Sequence, residues 1–209
     1  SLGLVILAAV LPSAASAQSD TGVYGPAAPE NAGFVRVVNA AASRGEIELP
    51  VGPVTFGPVG FGEATPYRPL RAGISLLRSA GDEAELIVRP DSYTTVIVTA
   101  RGFVIADDQR HDDPARAQLV LYNVSGVESV SLFVAPDGPA VIEELAPGSS
   151  KSRAVNAVTV DLAVRTGGTV LDRLETQRLT RGDSFGLFVL GGPDGPTIRV
   201  HKATVAVEE

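Results

Sequence analysis

The sequence predicts an all-β protein made of two antiparallel β-sandwich domains in tandem. Segments of strand length are rich in β-branched and aromatic residues, as in residues 34–38 and Tyr93–Thr99. The 22 Gly and 15 Pro are spread through the 209 residues and mark turns between these segments. Helical periodicity is nearly absent, because only residues 171–179 offer an i, i+3 apolar pair. Many short strands joined by frequent turns are typical of sandwiches.

The two halves of the chain present the same order of segments. Each half opens with a strand that ends in asparagine, at Asn39 and at Asn123. Each half nears its end with an Asp-Ser-aromatic triplet that starts a strand, at residues 91–93 and 183–185. Internal duplication explains this order, and so does the general likeness of strand-rich sequences, so the sequence leaves both origins open.

The expected organisation begins with a processing segment. Residues 2–11 are an apolar run of h-region length, and Ala15-Ser16-Ala17 is an A-x-A cleavage site, so we expect cleavage before Gln18 and export to the periplasm. Retention as an uncleaved anchor is the alternative. The expected segments are a signal peptide (1–17, truncated at its start), a proline-rich arm (18–33), a first sandwich (34–106), an acidic linker (107–114) and a second sandwich (115–209).

Composition argues against several classes of function. A net charge of −7 opposes binding to nucleic acid or to an anionic membrane surface. The chain has no Cys, which excludes disulfides and thiolate chemistry. We predict no cofactor and no metal, because no metal-type His or Cys cluster and no phosphate-cradling loop before a helix is present.

One triplet suggests catalysis, but its context does not support it. Gly182-Asp183-Ser184 has the Gly-Asp-Ser order of the nucleophile block in SGNH esterases and acetyltransferases. It lies near the C-terminus, precedes a strand, and lacks a downstream Asp-x-x-His. The two histidines, His111 and His201, fit solvated positions in the linker and on a strand. We therefore predict an Asp-Ser turn, no catalytic residues and no enzymatic activity.

The acidic run at residues 107–114 allows a second hypothesis. Its four aspartates could clamp Ca²⁺, which prefers several carboxylate oxygens. The Gly and Glu of an EF-hand loop are missing. A solvated acidic linker is therefore the favoured interpretation.

Two residues are predicted to take part in binding. In strict alternation Arg36 shares a face with Phe34 and Val38, so it either guards an edge strand or belongs to a contact surface. Its guanidinium also suits carboxylate recognition. Tyr24 either stacks on a sugar ring or a partner protein, or packs the N-terminal arm onto the sandwich.

The N-terminal stretch resembles a known family. Residues 24–40 carry Tyr-Gly-Pro, Ala-Pro, Phe-Val-Arg-Val and Asn-Ala in the order of the mature N-terminus of the AlgF alginate biosynthesis proteins. The strand at Tyr93–Thr99, the second Asn-ended strand and Arg181-Gly182 fit the same family, whereas residues 153–179 match it poorly.

The resemblance implies a role in the periplasm. Proteins of this family are required for O-acetylation of alginate or a similar exopolysaccharide, and they act as non-catalytic adaptors. The implied partners are membrane-bound and soluble polysaccharide O-acetyltransferase proteins. A carbohydrate-binding module for the polymer is the alternative, which the scarcity of aromatics (5%, no Trp) disfavours.

Overall fold

The computed structural model describes residues 30–206. The expected signal peptide, Tyr24 and most of the proline-rich arm lie outside the described residues. Within them, the first half forms β1 (Ala32–Asn39), β2 (Ile47–Val51), β3 (Val54–Val59), β4 (Arg68–Arg71), β5 (Gly73–Ser79), β6 (Asp82–Val88), β7 (Tyr93–Thr99) and β8 (Gly102–Asp108). The second half forms β9 (Ala117–Val124), β10 (Val130–Val134), β11 (Ala140–Leu145), β12 (Ser150–Val155), β13 (Thr159–Thr166), β14 (Thr169–Arg178), β15 (Ser184–Gly192) and β16 (Gly195–Lys202). The all-β prediction is confirmed.

Two four-stranded sheets of matching topology form the centre of the molecule. Their strand orders are β4-β1-β7-β8 and β12-β9-β15-β16. Hairpins β2-β3 and β5-β6 cover the first sheet, and the sheet β11-β10-β13-β14 covers the second. The described strands pair antiparallel, as expected, except that β1 lies parallel to β7 and β9 lies parallel to β15. The predicted sandwich fold is confirmed with this addition.

The central strands are covered on both faces. Val35 and Val37 of β1 point into the core of the first sandwich, while Val38 points towards the second sandwich. On β9, Leu121 faces its own core and Tyr122 faces the first sandwich. Strands with two covered faces read as continuous apolar runs, and both strands have this pattern.

The uncovered faces of the two four-stranded sheets pack against each other through a shared apolar cluster. We call this contact the seam. The cluster contains Val38, Ala40, Ile97 and Ala106 from the first sandwich and Val120, Tyr122, Phe188 and Leu190 from the second. Burial of each large apolar side chain stabilises a fold by about 1.5–3 kcal/mol, so the seam contributes substantially to holding the sandwiches together.

Asn39 and Asn123 occupy equivalent positions at the ends of β1 and β9. Both are fully buried. The amide nitrogen of each donates to two backbone carbonyls, those of Gly45 (2.7 Å) and Val59 (3.0 Å) for Asn39 and those of Val127 (2.9 Å) and Leu145 (3.0 Å) for Asn123. Each asparagine therefore ties its strand to the turn that follows and to the facing layer.

The register of the two parallel strand pairs changes how the two halves of the chain align with each other. Phe34 pairs with Tyr93, and Gln118 pairs with Ser184. With Asn39 and Asn123 superposed, Tyr93 therefore corresponds to Ser184, so matching the two Asp-Ser-aromatic triplets residue by residue is wrong by one position. Internal duplication stays a prediction.

The connection between the sandwiches spans residues 109–116, because β8 continues to Asp108 and β9 begins at Ala117. The expected acidic linker, residues 107–114, therefore overlaps the end of β8. None of the residues 30–206 belongs to a helix with the length and apolar character needed to cross a membrane.

Candidate functional site

Arg36 lies at the centre of the seam. It is 2% exposed, and β1 runs between β4 and β7, so the edge-guard interpretation is wrong. The predicted alternation is correct, since Arg36 points to the same side as Val38 and faces the second sandwich. Its Nε donates to Thr95 Oγ1 at 2.8 Å, and its Nη2 donates to the hydroxyl of Tyr122 at 2.9 Å. One guanidinium thus joins the two sandwiches directly.

Aromatic rings surround the guanidinium. Its central carbon lies 4.7 Å from the ring centroid of Tyr67, 5.3 Å from that of Phe188 and 5.7 Å from that of Tyr122. A Cβ atom at Gly186 would lie 2.9 Å from Nη2 of Arg36. Glycine at this position of β15 therefore lets the guanidinium approach the strand backbone closely. The ring faces attract the cation, and the missing side chain at Gly186 makes room for it.

Asp108 supplies the compensating negative charge. The hydroxyl of Tyr67 donates to its Oδ2 at 2.7 Å, and the hydroxyls of Thr95 and Tyr122 also donate to the carboxylate. A buried cation is costly unless it is paired and hydrogen-bonded, and these hydroxyls connect Arg36 to Asp108. Asp108, which was expected to be a solvated linker residue, is instead half-buried and hydrogen-bonded within this cluster.

The cluster has perturbed pKa values. Burial alone would lower the pKa of Arg36, but the neighbouring Tyr122, Tyr67 and Asp108 outweigh it and raise the pKa above its usual value. Burial raises the pKa values of Tyr67 and Tyr122, and the positive charge of Arg36 opposes part of this change. At neutral pH Arg36 is therefore charged, and both tyrosines keep the protons that they donate to Asp108.

A cleft of about 260 Å³ opens beside the cluster. Its lining includes Arg36, Asp108, His111, Gln118 and Ser184. The Ser184 hydroxyl donates to Gln118 Oε1 at 2.9 Å, and His111 Nε2 donates to a backbone carbonyl of the connection at 2.9 Å. A serine nucleophile needs a base within hydrogen-bond reach, and here Ser184 is bonded to an amide instead.

A turn that ends at Asp183 comes directly before Ser184, which is itself the first residue of β15 and not part of the turn. Gly182 has a φ of 75°, a left-handed conformation that suits glycine. The pKa of Asp183 is lowered chiefly by the hydrogen bond from Thr180 and then by Lys202, whose Nζ lies 2.9 Å from the carboxylate. The imidazole of His201 bonds to the carbonyl of Gly62, at 2.7 Å from its Nε2.

The four aspartates of the acidic run have different partners, and Asp113 accepts a hydrogen bond from the backbone amide of Ala115. Asp107 pairs with Arg89 at 3.0 Å, Asp112 pairs with Arg110 at 3.0 Å, and Asp108 faces the seam. No three His, Cys, Asp or Glu side chains gather into a metal-binding group within residues 30–206.

Sequence reasoning selected Arg36 but missed its neighbours. Tyr67, Thr95, Asp108 and Tyr122 are brought to it by four different strands or loops. A signal was present for Asp108, since alternation along β8 places it on the same side as Ala106, which faces the seam.

Comparison with known proteins identifies the family. Residues 6–185 match the model of the family described as "Alginate O-acetyl transferase AlgF". The chain is 28% identical over 181 residues to the alginate biosynthesis protein AlgF of Pseudomonas aeruginosa PAO1, covering 86% of this chain and 82% of the relative. It is 25% identical over 173 residues to AlgF of Pseudomonas syringae pv. tomato, covering 82% and 77%. The solved C-terminal domain of P. aeruginosa AlgF covers 42% of this chain and 98% of that domain at 27% identity, with a TM-score of 0.39. The chain belongs to the AlgF family.

Proposed function

We propose that the protein is a non-catalytic periplasmic adaptor required for O-acetylation of an alginate-like exopolysaccharide. It binds the protein that delivers acetyl groups and the protein that transfers them to the polymer. Holding both on one scaffold raises their effective concentration for each other. Membership of a family named for alginate O-acetylation supports the process.

The observation that carries the adaptor mechanism is the seam. Apolar packing and the Arg36 cluster join the two sandwiches, which then behave as one body. The outer faces of a two-sandwich body keep a constant separation. A scaffold of this kind presents two partners to each other without contributing chemistry of its own.

The contacts of Ser184 support the non-catalytic part of the proposal. Its hydroxyl donates to Gln118, and the nearest polar partner of His111 is a carbonyl. We expect Ser184→Ala and His111→Ala to leave polymer acetylation unchanged in cells that lack their own copy of the gene. Ser92→Ala, at an exposed turn, is the matched control. Loss of acetylation in Ser184→Ala alone, at normal protein level, would restore the enzyme hypothesis.

The proposed periplasmic location is supported by residues 2–17, which contain the apolar run and the A-x-A cleavage site of a signal peptide. We expect the protein from fractionated cells to be periplasmic and to start at Gln18. A mature N-terminus upstream of Gln18, or recovery of the protein in the cytoplasmic fraction, would contradict the periplasmic location.

A carbohydrate-binding module is the second candidate, and the 260 Å³ cleft favours it. The cleft has aromatic walls from Tyr67 and Tyr93 and polar groups from Gln118 and Ser184. Calorimetric titration with polymannuronate oligomers separates the two candidates. The adaptor proposal expects no saturable binding to the protein alone, whereas saturable binding that Gln118→Leu abolishes would favour the module.

A further inference from the structure

A groove of about 590 Å³ opens at the end of the seam opposite the cleft. β9 runs from Gln118 at the cleft to Val124 at the groove, and six residues of strand span about 20 Å. Both sandwiches contribute to its lining, with Arg101, Phe103 and Val104 from the first and Val124 and Pro147 from the second. We call this feature the Arg101 groove. Its volume exceeds that of a single side chain.

The floor of the Arg101 groove continues the seam. Val104 and Val124 are partly buried and pack on the apolar cluster between the sandwiches. Phe103 is also partly buried and packs on the core of the first sandwich. A partner side chain entering here would extend an apolar interface that already exists, instead of creating a new one.

One charge marks the rim. Arg101 is exposed, and it makes no ion pair within the described part of the chain. By contrast, the nearby Arg44 is paired with Asp82 at 2.5 Å. No acidic residue of the described chain lines the groove. An unpaired guanidinium beside an apolar surface is complementary to a carboxylate beside an apolar side chain.

We propose that the Arg101 groove binds an extended segment of a partner protein in which a large apolar side chain lies next to a carboxylate. This inference rests on the adaptor function and assigns it a docking surface. A polyuronate chain offers carboxylates to Arg101 but has no apolar side chain to cover Val104 and Val124. A protein segment fits both features.

Photocrosslinking from within the groove tests the occupant. A benzoylphenylalanine at Ala100, an exposed groove residue, is compared with one at Ala115 at the far end of the seam, both in the full chain in polymer-producing cells. We expect Ala100 alone to crosslink to an O-acetyltransferase protein, at a segment with an apolar residue beside Asp or Glu. Crosslinks from Ala100 to the polymer, or equal crosslinking from both positions, would overturn the assignment.

Charge reversal tests the contribution of Arg101. Arg181 is also exposed and makes no ion pair within the described residues, so Arg181→Glu is the matched control for Arg101→Glu. With the purified acetyltransferase proteins of the same organism, we expect about tenfold weaker binding of Arg101→Glu and unchanged binding of Arg181→Glu. Unchanged binding of both variants would refute the groove and leave the adaptor standing. Absence of binding by the unaltered chain would refute the adaptor and the groove together.

Discussion

Replacing Arg36 by methionine tests the energetic role of the seam. The substitution keeps an unbranched apolar stem and removes the guanidinium. It deletes two charge-assisted hydrogen bonds, to Thr95 and Tyr122, each worth about 1.5 kcal/mol. It also deletes cation–π contacts worth about 1 kcal/mol and leaves Asp108 without its counter-charge. We expect the free energy of unfolding to fall by about 4 kcal/mol, because these hydrogen bonds and cation–π contacts are lost together.

Urea unfolding followed by circular dichroism and tyrosine fluorescence measures this loss, since the chain has no Trp. The control is Arg78→Met, because Arg78 pairs with Glu83 at 2.6 Å on the exposed surface. Exposed pairs contribute below about 1 kcal/mol, so the control should stay close to the unaltered protein. We also expect the single transition of the unaltered protein to separate into two in Arg36→Met. Equal midpoints for the two variants, with one transition each, would show that the guanidinium of Arg36 does not stabilise the seam.

Three further predictions concern individual groups. Thr94→Val should either raise the free energy of unfolding or change it by less than about 0.5 kcal/mol, because the Thr94 hydroxyl is buried without a hydrogen-bond partner. Thr95→Val should lower the free energy of unfolding by about 2 kcal/mol, because the Thr95 hydroxyl bonds to both Arg36 and Asp108. Equal effects of the two substitutions in urea unfolding would contradict this prediction. Burial alone would raise the pKa of Asp172, but hydrogen bonds from the backbone amides of Ile198 and Arg173 and from the Thr197 hydroxyl outweigh it and lower the pKa. The stabilisation by Asp172 is therefore present above the unfolded pKa of about 3.9 and is lost as the pH falls through the folded pKa. The stability difference from Asp172→Asn, about 1 kcal/mol at pH 7, should therefore shrink below pH 4, and a difference that is constant with pH would count against the assignment. Burial raises the pKa values of Tyr67 and Tyr122, so their contribution to stability is complete below the unfolded pKa of about 10 and declines above it. At pH 11 the 295 nm absorbance of the native protein should therefore be lower than that of the protein in urea, and equal absorbance would contradict this prediction.

Local patterns were sufficient to predict the fold class. Alternation in β1 places Val35 and Val37 in a core, and turn residues separate the strands, so these inferences need only neighbouring residues. The parallel pairs could not be predicted in this way. The pairing of β1 with β7 joins residues about sixty positions apart, and no turn between them determines it.

The site was predicted only in part, for a similar reason. Alternation predicted the face on which Arg36 lies but not what covers that face. A run of four aspartates is usually solvated, yet Asp108 is half-buried and accepts a hydrogen bond from Tyr122 of the second sandwich. Gly186 gives no local signal for its role, because a Cβ atom there would meet Arg36 of the other sandwich and the ring of Phe188, each at 2.9 Å, and neither contact can be seen from the neighbouring sequence.

To act as the proposed adaptor, the protein must bind two acetylation proteins at the same time. The most direct measurement is sedimentation velocity of the mature chain with the soluble parts of the acetyl-delivering and acetyl-transferring proteins of the same organism. We expect a ternary complex that sediments faster than either binary mixture. Displacement of one protein by the other, or free sedimentation of all three, would contradict it.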